Sequence, residues 1–524
     1  MHRHAGLNVP LSSVRSSVSW GIGEIADLER FAPWLQQAGF DRVLLLPLGT
    51  MADGQASPYS AVSTLAIDPM YIAIDTMDDF AGAGGAARLS HEAQRSLTAA
   101  RWASSLELSL VRRAKREALH AAFRHFVDAE WSRTTSRARE LGAFIEHERA
   151  WLDDYALFRA LSNTMPGRTW RDWPAPLRER DHEAMAAARH ALERDVLEEQ
   201  YLQWIADAQW HATRASLAGR GVRLVGDLPF VANANSPEIW ARQHEFDLAI
   251  STGVPPDAFS ATGQDWGLPY YRWDVIAGDG YSWMRERMKR MAKMFDAVRV
   301  DHVIGLYRTY GRPAQGDPFF SPPDQASQLA QGEAMLTLIR ASGLEVIAED
   351  LGVIPDFVRE SLARLDIPGC KVLRWERDWH RTGAPFLDPA TYPATSAAMT
   401  GTHDTSALTV WWGEADEHER TAFLALPTLR NAGFTDRGVT WTSALRDAVI
   451  GMMYAASANE VFLPIHDVFG WASRINVPGT VTDTNWTWCL PWPAEDFDVL
   501  AEAQDRAEFL SRLARQHRRG LIEP

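Results

Sequence analysis

The sequence predicts an α/β protein, a (β/α)8 TIM barrel with large helical insertions between its early strands. Two observations support this prediction. Short, nearly continuous apolar runs alternate with stretches of helical spacing, which is the pattern of a parallel sheet buried on both faces. The chain also has 524 residues, enough for one large elaborated barrel or for several domains of roughly 100–200 residues each.

Each predicted strand is a short apolar run, and several runs end in an acidic residue. The runs span residues 42–47, 222–227, 297–301, 345–350, 371–375, 398–404 and 461–464. The carboxyl ends of the strands of a parallel barrel meet at one mouth, where active sites form. We therefore expect the polar residues that end these runs to lie in one site.

Between residues 86 and 218 the apolar spacing becomes helical. Val111, Ala114 and Ala118, for example, recur every three to four residues, as on the buried face of a helix. This stretch is too long for one barrel helix, so we interpret it as a helical insertion packed beside the barrel. An independent helical domain is the alternative. The predicted divisions are 1–85 for the start of the barrel, 86–218 for the insertion and 219–524 for the remainder.

Charge, cysteine content and apolar run length exclude several classes of protein. The 53 basic and 68 acidic residues give a net charge of −15, which disfavours nucleic acid or an anionic membrane as the main partner. Only Cys370 and Cys489 are present, too few for a disulfide framework or a four-thiolate zinc site. No run approaches the ~20 apolar residues of a membrane helix, and no signal peptide is evident. We expect a cytoplasmic protein that needs no metal, nucleotide or other cofactor, because the motifs for binding them are missing.

Tryptophan is unusually frequent, with 22 residues against 11 tyrosines and 21 phenylalanines. Indole rings stack on the flat C–H faces of sugars, but a large core also accommodates them. For any single tryptophan, core packing is the better interpretation.

Four acids follow the predicted strands: Asp227, Asp301, Glu349 and Asp404. Arg299 lies two residues before Asp301, so both side chains leave an extended strand on the same face, and the guanidinium would hold that carboxylate ionised. Glu349 follows Val-Ile-Ala, an apolar setting that favours a protonated carboxyl. One charged and one neutral acid suit a retaining glycosidase-type mechanism, in which the carboxyl groups stand about 5–5.5 Å apart. Helix caps or ion pairs are the alternative roles for any one of these acids.

A series of motifs along nearly the whole chain matches the pattern of one enzyme family. They are Leu11 to Arg15 with Ser19 to Gly23, Ser57-Pro58-Tyr59, Trp151 with Tyr155 to Phe158, Trp173-Pro174, Val222 to Pro229 with Trp240, residues 253–264 with Trp266-Gly267, Arg299-Val300-Asp301-His302, Ala348 to Gly352, Gly401-Thr402-His403-Asp404, and Arg474 to Thr480 with Asn485-Trp486. In these motifs and in their order the chain resembles the amylomaltases, also called 4-α-glucanotransferases or disproportionating enzymes.

The resemblance implies transfer of α-1,4-glucan segments between maltodextrin chains by a retaining double displacement. In that scheme Asp301 is the nucleophile, Glu349 the general acid and base, and Asp404 the third carboxylate, which grips and distorts the donor sugar. The early barrel segment would carry the donor-site loop, and residues 253–267 would form a lid over the acceptor groove. The implied substrate-binding residues are Tyr59, Asp227, Phe259, Gln264, Trp266, Arg299, His302 and His403. Trp486 would also lie near the groove, whereas Trp151, Trp173, Trp204 and Trp210 of the insertion would be packing residues.

The chain departs from the family pattern at three places that border the groove: residues 303–306, residues 405–407 and Cys489. No catalytic acid is lost, so activity is expected, while acceptor preference, product size and oligomeric state stay open. A hydrolase that uses the same carboxylates is the first alternative function. A silent glucan-binding protein that kept the barrel is the second.

Overall fold

The computed structural model describes residues 2–52, 54–256, 262–435 and 439–521. Within these ranges the strands are β1 (His4–Asn8), β2 (Arg42–Leu44), β3 (Arg223–Leu228), β4 (Phe246–Val254), β5 (Gln264–Tyr271), β6 (Ala297–Val300), β7 (Thr309–Pro313), β8 (Phe319–Ser321), β9 (Glu345–Ala348), β10 (Gly369–Val372), β11 (Ser396–Met399) and β12 (Glu460–Pro464).

The α-helices of the first half begin with α1 (Asp27–Gln37) and α2 (Asp78–Gly82). They continue with α3 (His91–Trp102), α4 (Leu108–Ala129), α5 (Ser136–Thr164), α6 (Ala175–Arg178), α7 (His182–Ala191), α8 (Glu193–Gly219), α9 (Pro237–Ala241), α10 (Trp273–Gly278) and α11 (Ser282–Met294). The later helices are α12 (Ile304–Tyr307), α13 (Gln325–Ala341), α14 (Asp356–Arg364), α15 (Leu408–Glu414), α16 (Glu417–Leu424), α17 (Pro427–Asn431), α18 (Ser443–Ala455), α19 (Ile465–Phe469) and α20 (Ala501–His517).

Eight parallel strands close into a barrel in the order β1-β12-β11-β10-β9-β6-β3-β2, which confirms the predicted fold class. Each of the seven apolar runs overlaps one barrel strand. The eighth strand, β1, was not predicted because His4–Asn8 is short and partly polar. It closes the barrel by pairing with β12 and β2. Its Gly6 leaves room for the Phe462 ring, because a Cβ atom at position 6 would lie only 2.3 Å from that ring.

The barrel interior and the layer around it form separate apolar clusters. Side chains such as Val225, Ile347 and Phe462 fill the interior, while the outward faces of the strands pack against the helices in one larger core. Burial on both faces explains why the strands read as continuous apolar runs. In the part of the chain that the structure describes, no helix combines the length and apolar character needed to cross a membrane.

Helices α3 to α8 occupy the segment predicted as a helical insertion. Trp210 of α8 donates a hydrogen bond to the Met294 carbonyl at 2.8 Å and packs edge-on against Phe295, so α8 lies against the barrel layer. Trp151, Trp173 and Trp210 are buried, as expected for packing residues. The boundaries at 86 and 218 stay predictions.

A second, antiparallel sheet has the strand order β5-β4-β7-β8. It includes most of the described part of segment 253–267, the predicted lid. Gly253 pairs with Asp265, and Val254 with Gln264, so the two ends of the segment form a β-hairpin. Its glycines, prolines and polar residues lack the continuous apolar character that identified the barrel strands, which is why this sheet was not predicted.

Candidate active site

The first part of the site is an ion cluster at the carboxyl ends of β3 and β6. Asp227 lies opposite Arg299 in the register of these strands. One guanidinium nitrogen of Arg299, Nη1, donates to both carboxylate oxygens of Asp227 at 2.8 and 2.7 Å and to Oδ1 of Asp301 at 3.0 Å. Tyr59 donates its hydroxyl proton to Oδ2 of Asp227 at 2.6 Å. Arg299 therefore joins the two acids, and its contact with Asp301 is the one that their spacing in the sequence predicted.

Charge within this cluster is set by burial and by the neighbouring groups. Burial alone lowers the pKa of a guanidinium, but the charges of Asp227 and Asp301 outweigh it and raise the pKa of Arg299 well above its usual value. Burial and the adjacent Asp227 raise the pKa of the Tyr59 hydroxyl. Arg299 is thus a permanent cation, and Tyr59 is a neutral hydrogen-bond donor.

Glu349 follows the last residue of β9 and lies beside this cluster. Its Oε2 accepts a hydrogen bond of 2.7 Å from the backbone N–H of His302, the residue after Asp301. Burial, reinforced by the negative charges of Asp301 and Asp350, raises the pKa of Glu349 to about 8, although Arg299 and the His302 N–H act in the opposite direction. Glu349 is therefore mostly protonated at neutral pH, as its apolar sequence setting predicted.

His302 links Glu349 to the second sheet. Its φ angle of 50° lies in the left-handed region, which a residue with a side chain adopts at an energetic cost. The imidazole lies 4.8 Å from the Trp266 ring and 5.7 Å from the Phe230 ring, both edge-on. Burial lowers the pKa of His302 to about 4, so the ring is neutral. Trp266 of β5, whose indole N–H donates to Gln264, thus contacts the site through His302.

Asp404 lies five residues beyond the end of β11 and is held by two neighbours. Its Oδ2 is 3.4 Å from Nε2 of His403, and its Oδ1 accepts a hydrogen bond of 2.6 Å from the Asn476 side chain. Burial would raise the pKa of Asp404, but these two groups together lower it to about 2, so Asp404 stays charged. The rings of Tyr59 and Trp486 pack against that of His403 at 5.2 and 5.7 Å, which joins Asp404 to the Tyr59 side of the cluster.

Sequence reasoning did not single out Asn476 as a site residue. It lies within the 474–480 motif, but its contact with Asp404 spans 72 positions of chain, and no local pattern gives such a pair. Phe259 lies outside the described residues. The other predicted site residues form two connected groups. One group surrounds Arg299 and His403, and the other comprises His302, Trp266 and Gln264.

The positions that depart from the family pattern have packing or turn roles here. Residues 304–306 belong to the buried helix α12. The Thr405 hydroxyl donates to the Thr402 carbonyl at 3.0 Å and closes the turn that follows His403 and Asp404. The Cys489 thiol is buried and donates to the Ser104 carbonyl at 3.2 Å.

Residues 9–494 match a family model described as 4-alpha-glucanotransferase. The chain belongs to the 4-alpha-glucanotransferase family. The member from Thermus thermophilus is 33% identical over 510 residues, which cover 93% of this chain and 96% of that protein. The 4-alpha-glucanotransferase of Synechocystis is 31% identical over 486 residues, or 90% of each chain. Family membership confirms the predicted enzyme class, and the protein is a transferase that acts on α-glucans.

Solved structures show the same fold. The amylomaltase of Streptococcus agalactiae, solved in complex with acarbose, superposes with a TM-score of 0.83 at 23% identity and covers 99% of this chain and 100% of its own. The Corynebacterium glutamicum amylomaltase gives a TM-score of 0.80 at 20% identity, with coverages of 97% and 75%. The barrel with its insertions is therefore the architecture of the amylomaltases.

Proposed function

We propose that Asp301 and Glu349 carry out a retaining double displacement on α-1,4-glucans. The observation that carries this proposal is the contrast between the surroundings of the two acids. Asp301 is bound to a permanent cation, Arg299, while Glu349 is buried with a pKa of about 8. The backbone N–H of His302, the residue after Asp301, binds Glu349, which supports a common substrate position for the two acids. A charged nucleophile next to a neutral acid is what the first step requires.

In the first step, a carboxylate oxygen of Asp301 attacks C1 of the donor glucose. The bond from C1 to the glycosidic oxygen breaks, its electron pair goes to that oxygen, and Glu349 supplies the proton. Because Oε2 of Glu349 accepts the His302 hydrogen bond, Oε1 is the oxygen that delivers the proton. The shortened glucan leaves with a free 4-hydroxyl, and a β-linked glucosyl ester remains on Asp301.

In the second step, the 4-hydroxyl of an acceptor glucan attacks C1 of the ester. Glu349, now a carboxylate, takes the hydroxyl proton, and the bond between C1 and Asp301 breaks to regenerate the free carboxylate. Two inversions restore the α configuration. The positive charge of Arg299 stabilises Asp301 as the leaving group.

Asp404, His403, Asp227 and Tyr59 form the wall on which we place the donor sugar. Asp404 is charged and partly exposed, so its carboxylate can accept hydrogen bonds from two sugar hydroxyls while Asn476 holds its orientation. The Tyr59 ring, stacked on His403 at 5.2 Å, offers an apolar face for the same ring. Such contacts favour the reaction when they strengthen as the sugar distorts toward the transition state.

Transfer, rather than hydrolysis, requires that the intermediate meet a sugar hydroxyl before water. We propose that the β4–β5 hairpin acts as the lid on the acceptor side, with Trp266, Gln264 and Phe259 as glucan contacts. The position of Trp266 against His302 supports this role, because an acceptor lying along the hairpin would exclude water beside Glu349.

Maltodextrins are the proposed substrates. The proposed compartment is the cytoplasm, which the two buried free thiols favour.

Incubation of the purified enzyme with maltotriose tests the proposal. The wild type should yield a ladder of longer oligosaccharides together with glucose. Asp301→Asn should abolish every product, because the nucleophile of the double displacement is lost. Asp296→Asn is the matched control: it alters an acid just before the opposite end of the same strand, and it should retain the ladder. Shortening without any product longer than maltotriose would indicate a hydrolase, and turnover by Asp301→Asn would refute the assignment of the nucleophile.

A further inference from the structure

Three potential metal ligands lie together at the amino end of the barrel, opposite the carboxylates of the active site. They are His2, His4 and Asp41, and one ligand atom from each lies within 4.8 Å of the others. The Nε2 atom of His2 is 3.3 Å from Oδ2 of Asp41, and Nδ1 of His4 is 2.6 Å from the same oxygen. In the part of the chain that the structure describes, this is the one cluster of three histidine, cysteine or acidic residues with such spacing.

The backbone fixes the direction of the Asp41 carboxylate. Asp41 precedes β2, and its other oxygen, Oδ1, accepts a hydrogen bond of 2.9 Å from the N–H of Ala5 in β1. The Asp41 N–H in turn donates to the Ala5 carbonyl at 3.0 Å. Oδ2 is therefore directed towards the two imidazoles. His2 and His4 are two residues apart in extended chain, which places both rings on the same side.

We propose that His2, His4 and Asp41 form a binding site for a divalent transition metal, with zinc as the reference ion. Two imidazole nitrogens and one carboxylate oxygen are a ligand set that Zn²⁺ accepts in tetrahedral geometry, at about 2.0–2.2 Å from the metal. Ligand atoms at that distance stand about 3.3 Å apart, which the His2 to Asp41 separation already matches. The His4 to Asp41 hydrogen bond would open to a similar length.

The surroundings allow water to supply the fourth ligand. The three side chains line an open cavity shared with Arg223 and Glu345, which pair with each other at 3.1 Å. Their opposite charges offset one another near the site. The side chain of Asp41 is only 8% exposed, whereas that of His2 is 56% exposed, so an ion enters past His2 and completes its coordination from the cavity side.

Metal binding here would act on stability and leave catalysis unchanged. The ion would tie His2 and the first residue of β1, His4, to Asp41 just before β2, at the point where the first strand joins the barrel. Because the ion binds the folded arrangement, it raises the melting temperature by an amount that grows with the logarithm of zinc concentration. The catalytic carboxylates lie at the other end of the strands, so transferase rates should not respond to one equivalent of zinc.

The full-length chain, freed of metal with a chelator, tests this site by titration with zinc sulfate in a calorimeter and with Co²⁺ by visible absorption. We expect one equivalent to bind, a tetrahedral cobalt spectrum, and a higher melting temperature with zinc. His2→Ala and Asp41→Asn should each weaken zinc binding by at least about tenfold, because loss of even a supporting contact at a metal site costs about 10–100-fold. His244→Ala, which removes another exposed histidine beside a carboxylate, should bind as the wild type does.

Two outcomes would overturn the proposal. Absence of zinc binding would show that His4 serves only as a hydrogen-bond partner of Asp41, and His2 only as a nearby polar contact. Equal zinc affinity in His2→Ala and the wild type would place the ion elsewhere. Because the side chain of His2 is exposed, we expect its replacement to leave the fold undisturbed, so a folded but zinc-insensitive His2→Ala protein gives a clear result. Maltotriose disproportionation, followed in parallel, tests the catalytic assignment separately.

Discussion

The protonation state of Glu349 gives the sharpest prediction about catalysis. With a pKa of about 8, about nine-tenths of the Glu349 carboxyls carry a proton at pH 7, whereas an ordinary value of 4.5 would leave about 0.3% protonated. The protonated fraction of Glu349 at that pH is thus roughly 300 times larger than it would be with the ordinary pKa. We expect kcat/KM to fall about tenfold per pH unit above pH 8, because kcat/KM reports the ionisation of the free enzyme.

Glu349→Gln removes the acid while preserving the side-chain shape and an oxygen for the His302 N–H. We expect kcat/KM on maltotriose to fall by about 10²–10⁴, the usual contribution of general acid–base catalysis, and the loss of activity around pH 8 to disappear. α-Maltosyl fluoride needs no proton for its leaving group, so it should still form the ester on Asp301. Added azide, which needs no general base, should then release α-maltosyl azide and restore turnover.

The assay is initial-rate measurement between pH 5 and pH 10, with maltotriose and with the fluoride plus azide. A wild-type profile that stays flat through pH 8 would refute the raised pKa. Failure of azide to restore turnover in folded Glu349→Gln would refute the acid and base role. Persistence of the pH 8 decline in the variant would assign that ionisation to another group.

The same ionisation has a consequence for stability. Folded Glu349 holds its proton up to about pH 8, whereas the unfolded chain releases it near the ordinary value of 4.5. The folded state therefore binds more protons between these values, and the free energy of unfolding falls as pH rises through the window. Glu349→Gln removes this fall in the free energy of unfolding, because glutamine does not ionise. Calorimetry should show that the variant gains melting temperature relative to the wild type between pH 5 and pH 9, and a constant difference would contradict the argument.

Two further predictions concern the support of the site and the packing of the barrel. Asn476→Ala removes the hydrogen bond to the charged, partly exposed Asp404. It should lower kcat/KM by about tenfold, because that is the usual cost of losing a hydrogen bond to a charged group. An unchanged kcat/KM would show that Asp404 does not need this hydrogen bond. Gly332→Ala places a Cβ atom 2.2 Å from the Tyr307 ring and should destabilise the fold by about 1–3 kcal/mol in denaturant titrations. Gly413→Ala, in a helix with open space around the added methyl group, should be stabilising, and similar effects of both changes would contradict the packing argument.

Local sequence pattern was sufficient for most of the barrel and for its acids. A parallel strand buried on both faces must be apolar along its whole length, so seven barrel strands were visible as runs, and Asp301 and Glu349 stood out as the acids behind two of them. Arg299 was predictable because alternation along one strand places it beside Asp301. The apolar residues before Glu349 likewise indicated a raised pKa.

Tertiary structure decided what depends on pairing between distant parts of the chain. Strand β1 is too polar to be recognised alone, and its register with β12 and β2 places it in the barrel. The same pairing brings Asp41 to His2 and His4, a cluster that matches no local metal-binding motif because Asp41 is distant in sequence. Asn476 reaches Asp404 across 72 positions, and His302 joins Glu349 to Trp266 only because two sheets meet there. Periodicity in a sequence records which faces are buried, whereas barrel closure and register determine which side chains share a site.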